Sequence, residues 1–282
     1  MAEQVGTAAS HAGVDLTSTP PPLSRLLSDL WASRRLAYML ARRDFFVRYR
    51  RARLGLAWAV VVPLSQALVL ALVIGRITKI RTTGDVPLTL FVFAGMVAWT
   101  FFSTAFGTGA TAIADGAGLT TKIYFPRAVL PLVTVGAGAI TLALNVVVLL
   151  VMCPFFDVWP GWNLLLLPAA LLLLFAFTAG LSLVLSAVHV HVRDVRYLLE
   201  AASRALFYAT PVFYPLHQVG ALKDWLAINP CTGVTELFRA ATVGADEGWL
   251  PSLWWSLGWT AVILVVGLEL HRRLDRTFSD LL

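Results

Sequence analysis

The sequence predicts an all-α membrane protein. It has six transmembrane helices, an N-terminal interfacial amphipathic helix, and short outward helices between spans five and six. Three observations carry that prediction. Of 282 residues, 58% are hydrophobic and only 13% charged, about half the charge of a soluble domain. The charge is also missing in blocks. No Asp, Glu, Lys or Arg occurs between Arg53 and Arg76, Asp85 and Asp115, Arg127 and Asp157, Asp157 and Arg193, Arg204 and Lys223, or Glu247 and Glu269. Each block holds, or nearly holds, the roughly 20 apolar residues that carry a helix across ~30 Å of hydrocarbon. A helix satisfies its own backbone where lipid cannot. Finally, the cations are one-sided. With the N-terminus inside, sixteen Lys and Arg fall on the inner side and five on the outer, with Arg204 inside span five. That bias places both termini in the cytoplasm.

The elements follow in chain order. Residues 1–20 are small and polar, with neither a basic leader nor an apolar core, so they read as a disordered tail and not a cleavable signal. Residues 21–53 form the interfacial segment. Leu23, Leu26, Leu27, Leu30 and Trp31 share one helical face, whereas Leu36, Met39 and Leu40 share another. This implies two short amphipathic pieces, or one helix kinked near Ala32-Ser33, lying in the interface. Solvated helices packed on a soluble partner are the alternative. The segment closes on RDFFVRYRRAR, with Arg43, Arg48, Arg50, Arg51 and Arg53. Arginine there meets anionic headgroups, so the basic isoelectric point follows from topology and calls for no nucleic acid.

Residues 54–282 form the six-span domain, with spans near 54–76, 86–107, 130–153, 164–189, 197–216 and 250–270. Span five is the weakest, since it begins with Glu200 and Arg204 and contains Pro211. Loop two, 111–131, is too long for a tight turn and suits one or two short helices. Loop four is brief and charged. Loop five, about 217–249, carries Leu222, Trp225, Leu226, Ile228, Val234, Leu237 and Phe238, which suggests short helices dipping into the outer interface. Asn229-Pro230 would break them; a plain outer loop is the alternative.

Chemistry is sparse. None of the three lysines, Lys79, Lys122 and Lys223, follows a glycine, so no phosphate-binding P-loop exists and ATP cannot be hydrolysed by that route. His189 and His191 would be two ligands of an incomplete metal site, and we assign no metal. Cys153 and Cys231 both fall on the outer side and could pair or remain buried thiols. Asn145 suits a helix–helix hydrogen bond, with a substrate contact as the alternative, and Glu200 and Arg204 are spaced to pair, either as a structural pair near the inner interface or as a polar strip along a transport path.

Several stretches resemble one family. Arg43-Asp44, Arg48-Tyr49-Arg50, Leu54-Gly55, Trp58 and Pro63 are similar to the approach to span one in ABC-2 type permeases that export polysaccharides and polyol phosphates. KIYFPR (122–127) through Leu130-Pro131, RDVRY (193–197), PVFYP (211–215), Asn229-Pro230 and the closing Arg276 to Asp280 also fit. The resemblance spans roughly 30–282. It implies a homodimer in a bacterial cytoplasmic (inner) membrane, with no cofactor on this chain. It also implies a separate ATP-binding cassette ATPase subunit that carries ATP and Mg. Tyr124, Phe125, Pro126 and Arg127, with Arg193, Asp194 and Arg196, would couple to that ATPase; a headgroup-facing loop is the alternative. The arginine run would form a collar for the phosphate of a lipid-linked glycan or polyol phosphate, or simply anchor in membrane lipid. Trp99, Phe101, Phe102, Phe207, Tyr208, Phe213 and Tyr214 are candidates for the substrate path, with aromatic belts and ordinary packing as the alternative. A small-molecule efflux permease and a membrane transferase using Asp194, His189 and His191 are competing readings.

Overall fold

The computed structural model describes residues 22–50, 52–77, 82, 86–120, 125–192, 194–245 and 249–275. The tail 1–20, Arg51, Tyr124, Arg193 and the closing Arg276 to Asp280 lie outside them. Every described regular element is helical.

Helix α1 (Leu23–Ala32) and α2 (Arg34–Tyr49) meet at Ser33, where φ −81° and ψ 1° leave the helical basin. The apolar faces diverge at that point: α2 turns Leu40, Ala41 and Phe45 inward, whereas α1 buries only Leu26 and leaves Leu23 and Leu27 exposed. Leu40, Ala41 and Phe45 of α2 pack with Phe125, Val129, Leu130, Val133 and Ala137 at the start of α7 (Val129–Phe155). Trp31 and Phe46 remain exposed and carry Arg34 and Arg42 over their rings at 4.8 and 5.7 Å.

Helix α3 (Trp58–Ile77) contains Pro63. Proline has no N–H, so the carbonyl of Ala59 four residues earlier loses its helical donor. Asn145 in the middle of α7 replaces it, donating Nδ2 to the Ala59 carbonyl at 3.0 Å and to Thr141 at 2.9 Å. The mid-span asparagine therefore joins two helices through a bond that a proline 82 positions away made available.

Helix α4 (Leu88–Ser103) occupies the centre, with twelve of its residues buried. It does not stop near residue 107. A π-helical stretch (Ala105–Gly109) leads into α5 (Ala110–Asp115) and α6 (Ala117–Thr120), so the apolar helical run reaches Leu119. The residues expected to open loop two are thus helical, and Ala112 and Ile113 are buried.

Helix α8 (Leu167–His191) packs along α12 (Leu250–Leu274). A Cβ on Gly267 would lie 2.8 Å from Leu183 Cβ, and one on Gly180 would lie 3.0 Å from the Leu264 nitrogen. Close packing of small residues is what holds helices together where both partners are already in oil.

Among the described residues, five runs are long and apolar enough to cross a membrane: Gly55–Arg76, Leu88–Leu119, Val129–Phe155, Gly161–His191 and Leu250–Leu274. The remaining charge-free block, 205–222, contributes only the end of the 15-residue α9 (Val195–Ala209), whose first part carries Arg196, Glu200 and Arg204. At 1.5 Å per residue α9 reaches about 22 Å, short of the ~30 Å core. It ends where Pro211 forces Thr210 into an extended conformation (ψ 137°). Two short helices follow, α10 (Lys223–Ile228) and α11 (Pro230–Val243), divided at Asn229-Pro230. Asn229 caps α11 by accepting the Cys231 N–H at 3.0 Å. Unlike a helix dipping into an interface, α11 is enclosed by protein: Cys231 through Val243 are all buried.

Candidate functional site

An open groove of about 700 Å³ runs between α3, α4 and α9. Its polar wall is Ser65, Gln66, Thr100, Ser103 and Ser203, and its aromatic wall is Trp99 and Phe207. Phe207 begins a continuous aromatic cluster. Its ring lies 5.4 Å from Trp99, 5.3 Å from Tyr208 and 5.6 Å from Phe213, and Phe213 is 5.1 Å from Tyr214. The Tyr214 hydroxyl donates to the Tyr208 carbonyl at 2.9 Å. Six of the seven aromatic candidates are therefore brought together, since Phe102 lies 5.1 Å from Trp99, whereas Phe101 stacks on Phe175. Aromatic faces beside hydroxyl and amide groups suit a polyhydroxylated molecule, since rings cover C–H faces while the polar groups exchange hydrogen bonds.

The cluster stands on a broken backbone. From 210 to 215 the chain is not helical, yet Thr210, Pro211, Val212 and Pro215 are buried. Irregular backbone is tolerated at membrane depth only where protein satisfies it. Arg239 of α11 does so. Its Nη2 donates to the Pro211 and Val212 carbonyls at 2.6 and 3.1 Å, and its Nη1 pairs with Glu236 Oε1 at 2.8 Å. The guanidinium also lies 3.7 Å from the Phe91 ring centroid, a cation–π arrangement. Arg239 and Glu236 are 0% and 1% exposed. Gly95 leaves the room for this: a Cβ there would collide with the Val212 carbonyl oxygen and sit 2.8 Å from Arg239 Nη2.

At the opposite end, the coupling candidates separate. Phe125 is buried beneath α2, so it reaches a partner only through what packs over it. Pro126 is half-buried. Arg127 turns to the end of α12, where its Nη1 donates to the Asp275 carbonyl and its backbone N–H to Asp275 Oδ1 at 3.3 Å. Burial pushes the Asp275 carboxyl up from its ordinary range, opposed by the Arg127 N–H and guanidinium. Asp194 and Arg196 are the exposed ones. Glu200 pairs with Arg196 at 3.6 Å, not with Arg204 as the spacing suggested. Among the described residues, no hydrogen bond or ion pair links 125–127 to 194–196. Of the collar arginines, Arg43, Arg48, Arg50 and Arg53 are exposed, and Arg43 pairs with Asp44 at 2.9 Å.

Residues 35–243 match the ABC-2 type transporter family. The chain belongs to that family. It is 32% identical to the O-antigen export system permease protein RfbA of Myxococcus xanthus over 219 residues, 77% of this chain and 83% of the relative. A permease of the same name from Klebsiella pneumoniae is 23% identical over 88% of this chain and 95% of its own length. The polysialic acid transport protein KpsM of Escherichia coli is 26% identical over 82% and 90%.

In this ABC-2 permease, sequence reasoning missed Arg239 and Glu236. The available signal was a Glu-x-x-Arg spacing inside an otherwise apolar segment that begins with an Asn-Pro helix start. Cys153 and Cys231, left open as a pair or two thiols, are both free and buried.

Proposed function

We propose that this permease is the transmembrane subunit of an ATP-driven exporter that moves a lipid-linked polysaccharide or polyol phosphate across a bacterial cytoplasmic membrane. The observation that carries this reading is the groove of serines, Gln66, Trp99 and Phe207, which continues into an aromatic cluster. Two copies would enclose a path along that groove. The short α9 together with the buried segment 210–216 would serve as the sixth crossing, leaving both termini cytoplasmic. ATP and Mg would be held by a separate cassette ATPase, because this chain has no glycine–lysine pair to cradle phosphate. Arg127 and Arg196, with their neighbours Tyr124, Phe125, Pro126, Arg193 and Asp194, would receive the push. Arg43, Arg48, Arg50, Arg51 and Arg53 would meet the lipid phosphate.

The test is reconstitution. The purified permease should hydrolyse no ATP until the partner ATPase is added, and deleting its gene should leave finished polymer in the cytoplasm. Drug sensitivity without polymer retention would instead indicate a small-molecule permease, and sugar transfer without any ATPase would indicate an enzyme. Phe207→Ala should slow polymer export while leaving assembly with the ATPase intact.

A further inference from the structure

A second, smaller cavity of about 270 Å³ lies on the other side of α3, walled by the end of α2, the start of α3, the second half of α4 and the middle of α7. We propose that this cavity is a binding site for a phosphate that carries neighbouring hydroxyls, the head of a glycosylated or polyol-bearing lipid.

The donors and acceptors present narrow the ligand. Deep in the cavity, Asn145 is 2% exposed, and its Nδ2 is committed to the Ala59 and Thr141 carbonyls. Its Oδ1, and the hydroxyl oxygen of Thr141 one turn below, have no partner among the described residues. Leaving a buried acceptor unfilled costs about as much as a lost hydrogen bond, so the cavity asks for a donor. A bare hydrocarbon tail has none, and a phosphate oxygen would be repelled by Oδ1. A hydroxyl fits. At the mouth stands the exposed guanidinium of Arg48, which asks for an anion. Between them the Trp58 and Phe101 rings supply flat apolar faces, which suit the C–H face of a ring or polyol. The volume equals the share of about nine waters, room for one sugar unit and no chain. Anion, ring face and hydroxyl in that order describe a glycosyl or polyol phosphate.

This deepens the phosphate-collar reading and rests on it for Arg48 alone. Two sources share the chemistry: the first sugar and phosphate of the lipid-linked cargo, or a polyol-headed membrane phospholipid. Native mass spectrometry of the purified permease, titrated with three lipids, separates them. The probes are a polyprenyl diphosphate bearing one N-acetylhexosamine, phosphatidylglycerol, and phosphatidic acid as the phosphate without neighbouring hydroxyls. The wild type should prefer at least one hydroxylated lipid over phosphatidic acid by about fivefold, the value of one hydrogen bond. The stronger of the two hydroxylated probes names the source. Thr141→Val should erase the preference without touching either Asn145 bond, since Asn145 uses the Thr141 main-chain carbonyl. Asn145→Leu should erase it too, and Arg48→Gln should weaken all three lipids about tenfold. Equal binding of hydroxylated and bare phosphates by the wild type overturns the proposal, as does a preference that survives in both Thr141→Val and Asn145→Leu. The collar reading fails separately: Arg43→Gln, Arg50→Gln and Arg53→Gln, which do not line the cavity, would leave phosphate-lipid binding unchanged.

Discussion

Replacing Arg239 by methionine removes a charge that four groups share. Glu236 would lose the guanidinium that pairs with its buried carboxylate, and deleting one partner of such a pair costs roughly 3–5 kcal/mol. The Pro211 and Val212 carbonyls would lose their shared donor, at about 1–3 kcal/mol for each group that stays dry. The terms overlap because the segment can shift, so about 5 kcal/mol is the expected total. At roughly 2–4 °C per kcal/mol for a chain of this size, the thermal midpoint should fall by at least ~10 °C. The double variant Glu236→Leu/Arg239→Met removes that carboxylate as well and leaves only the carbonyls, so it should regain ~3 kcal/mol over Arg239→Met alone. The measurement is the temperature at which monodisperse permease in nanodiscs is half lost on heating. An Arg239→Met protein within ~2 °C of wild type, or a double variant no better than the single, would refute the assignment of Arg239 as the support of the 210–215 backbone.

Three further expectations use the same preparation. Gly95→Ala places a methyl against the Val212 carbonyl and Arg239; overpacking of this kind costs about 1–3 kcal/mol, and the midpoint should fall by several degrees. Arg196→Ala breaks a pair whose side chains are 62% and 51% exposed, so stability should change by less than ~1 kcal/mol. Under the coupling reading, the same variant should raise the ATP hydrolysed per polymer exported when reconstituted with the ATPase. The Cys231 thiol is pushed up to about 12 by burial, so it stays protonated at ordinary pH. Maleimide labelling of the native permease should therefore stay low and flat from about pH 7 to 9. Two cysteines should label after denaturation, and fast native labelling that climbs with pH would contradict the buried placement.

The charge-free blocks located α3, α7, α8 and α12 to within a few residues, because a lipid-facing helix excludes charge along its whole length and the edges of that exclusion are visible. The same rule misplaced what protein, not lipid, surrounds. Helix α11 carries Glu236 and Arg239 and so read as a short helix at the outer interface, although α4, α8 and α12 enclose it. A count of charges cannot tell a solvated pair from one neutralised internally. The end of α9 was also hidden. Pro211 marks a possible break, but a proline can kink a span or end it, and the outcome depends on whether a donor such as Arg239 waits for the freed carbonyls. Similarly, Asn145 announced a helix contact without naming its partner. That partner follows from Pro63, which frees the Ala59 carbonyl, and only the packing of α3 on α7 brings the two together. The aromatic path candidates were legible as residues, Trp99 among them, whereas their meeting across two helices follows only from α4 crossing beside α9.

These placements make α3 a wall shared by the two spaces. Val62 of α3 and Thr100 of α4 line both the open groove and the smaller cavity. Helix α4 is buried through most of its length and cannot shift without disturbing the core. Helix α3 is buried along a narrow stripe, at Ala59, Ala67 and Ala71, and its start is held by one hydrogen bond from Asn145. A displacement of α3 away from α4 would therefore widen the groove and draw on the cavity together, with Ala59 and Pro63 as the point of attachment. A head group seated between Arg48 and Asn145 would resist or permit that motion by filling the space α3 must leave or enter. The two spaces share one partition, so a ligand filling the proposed site would act on the wall that also bounds the groove.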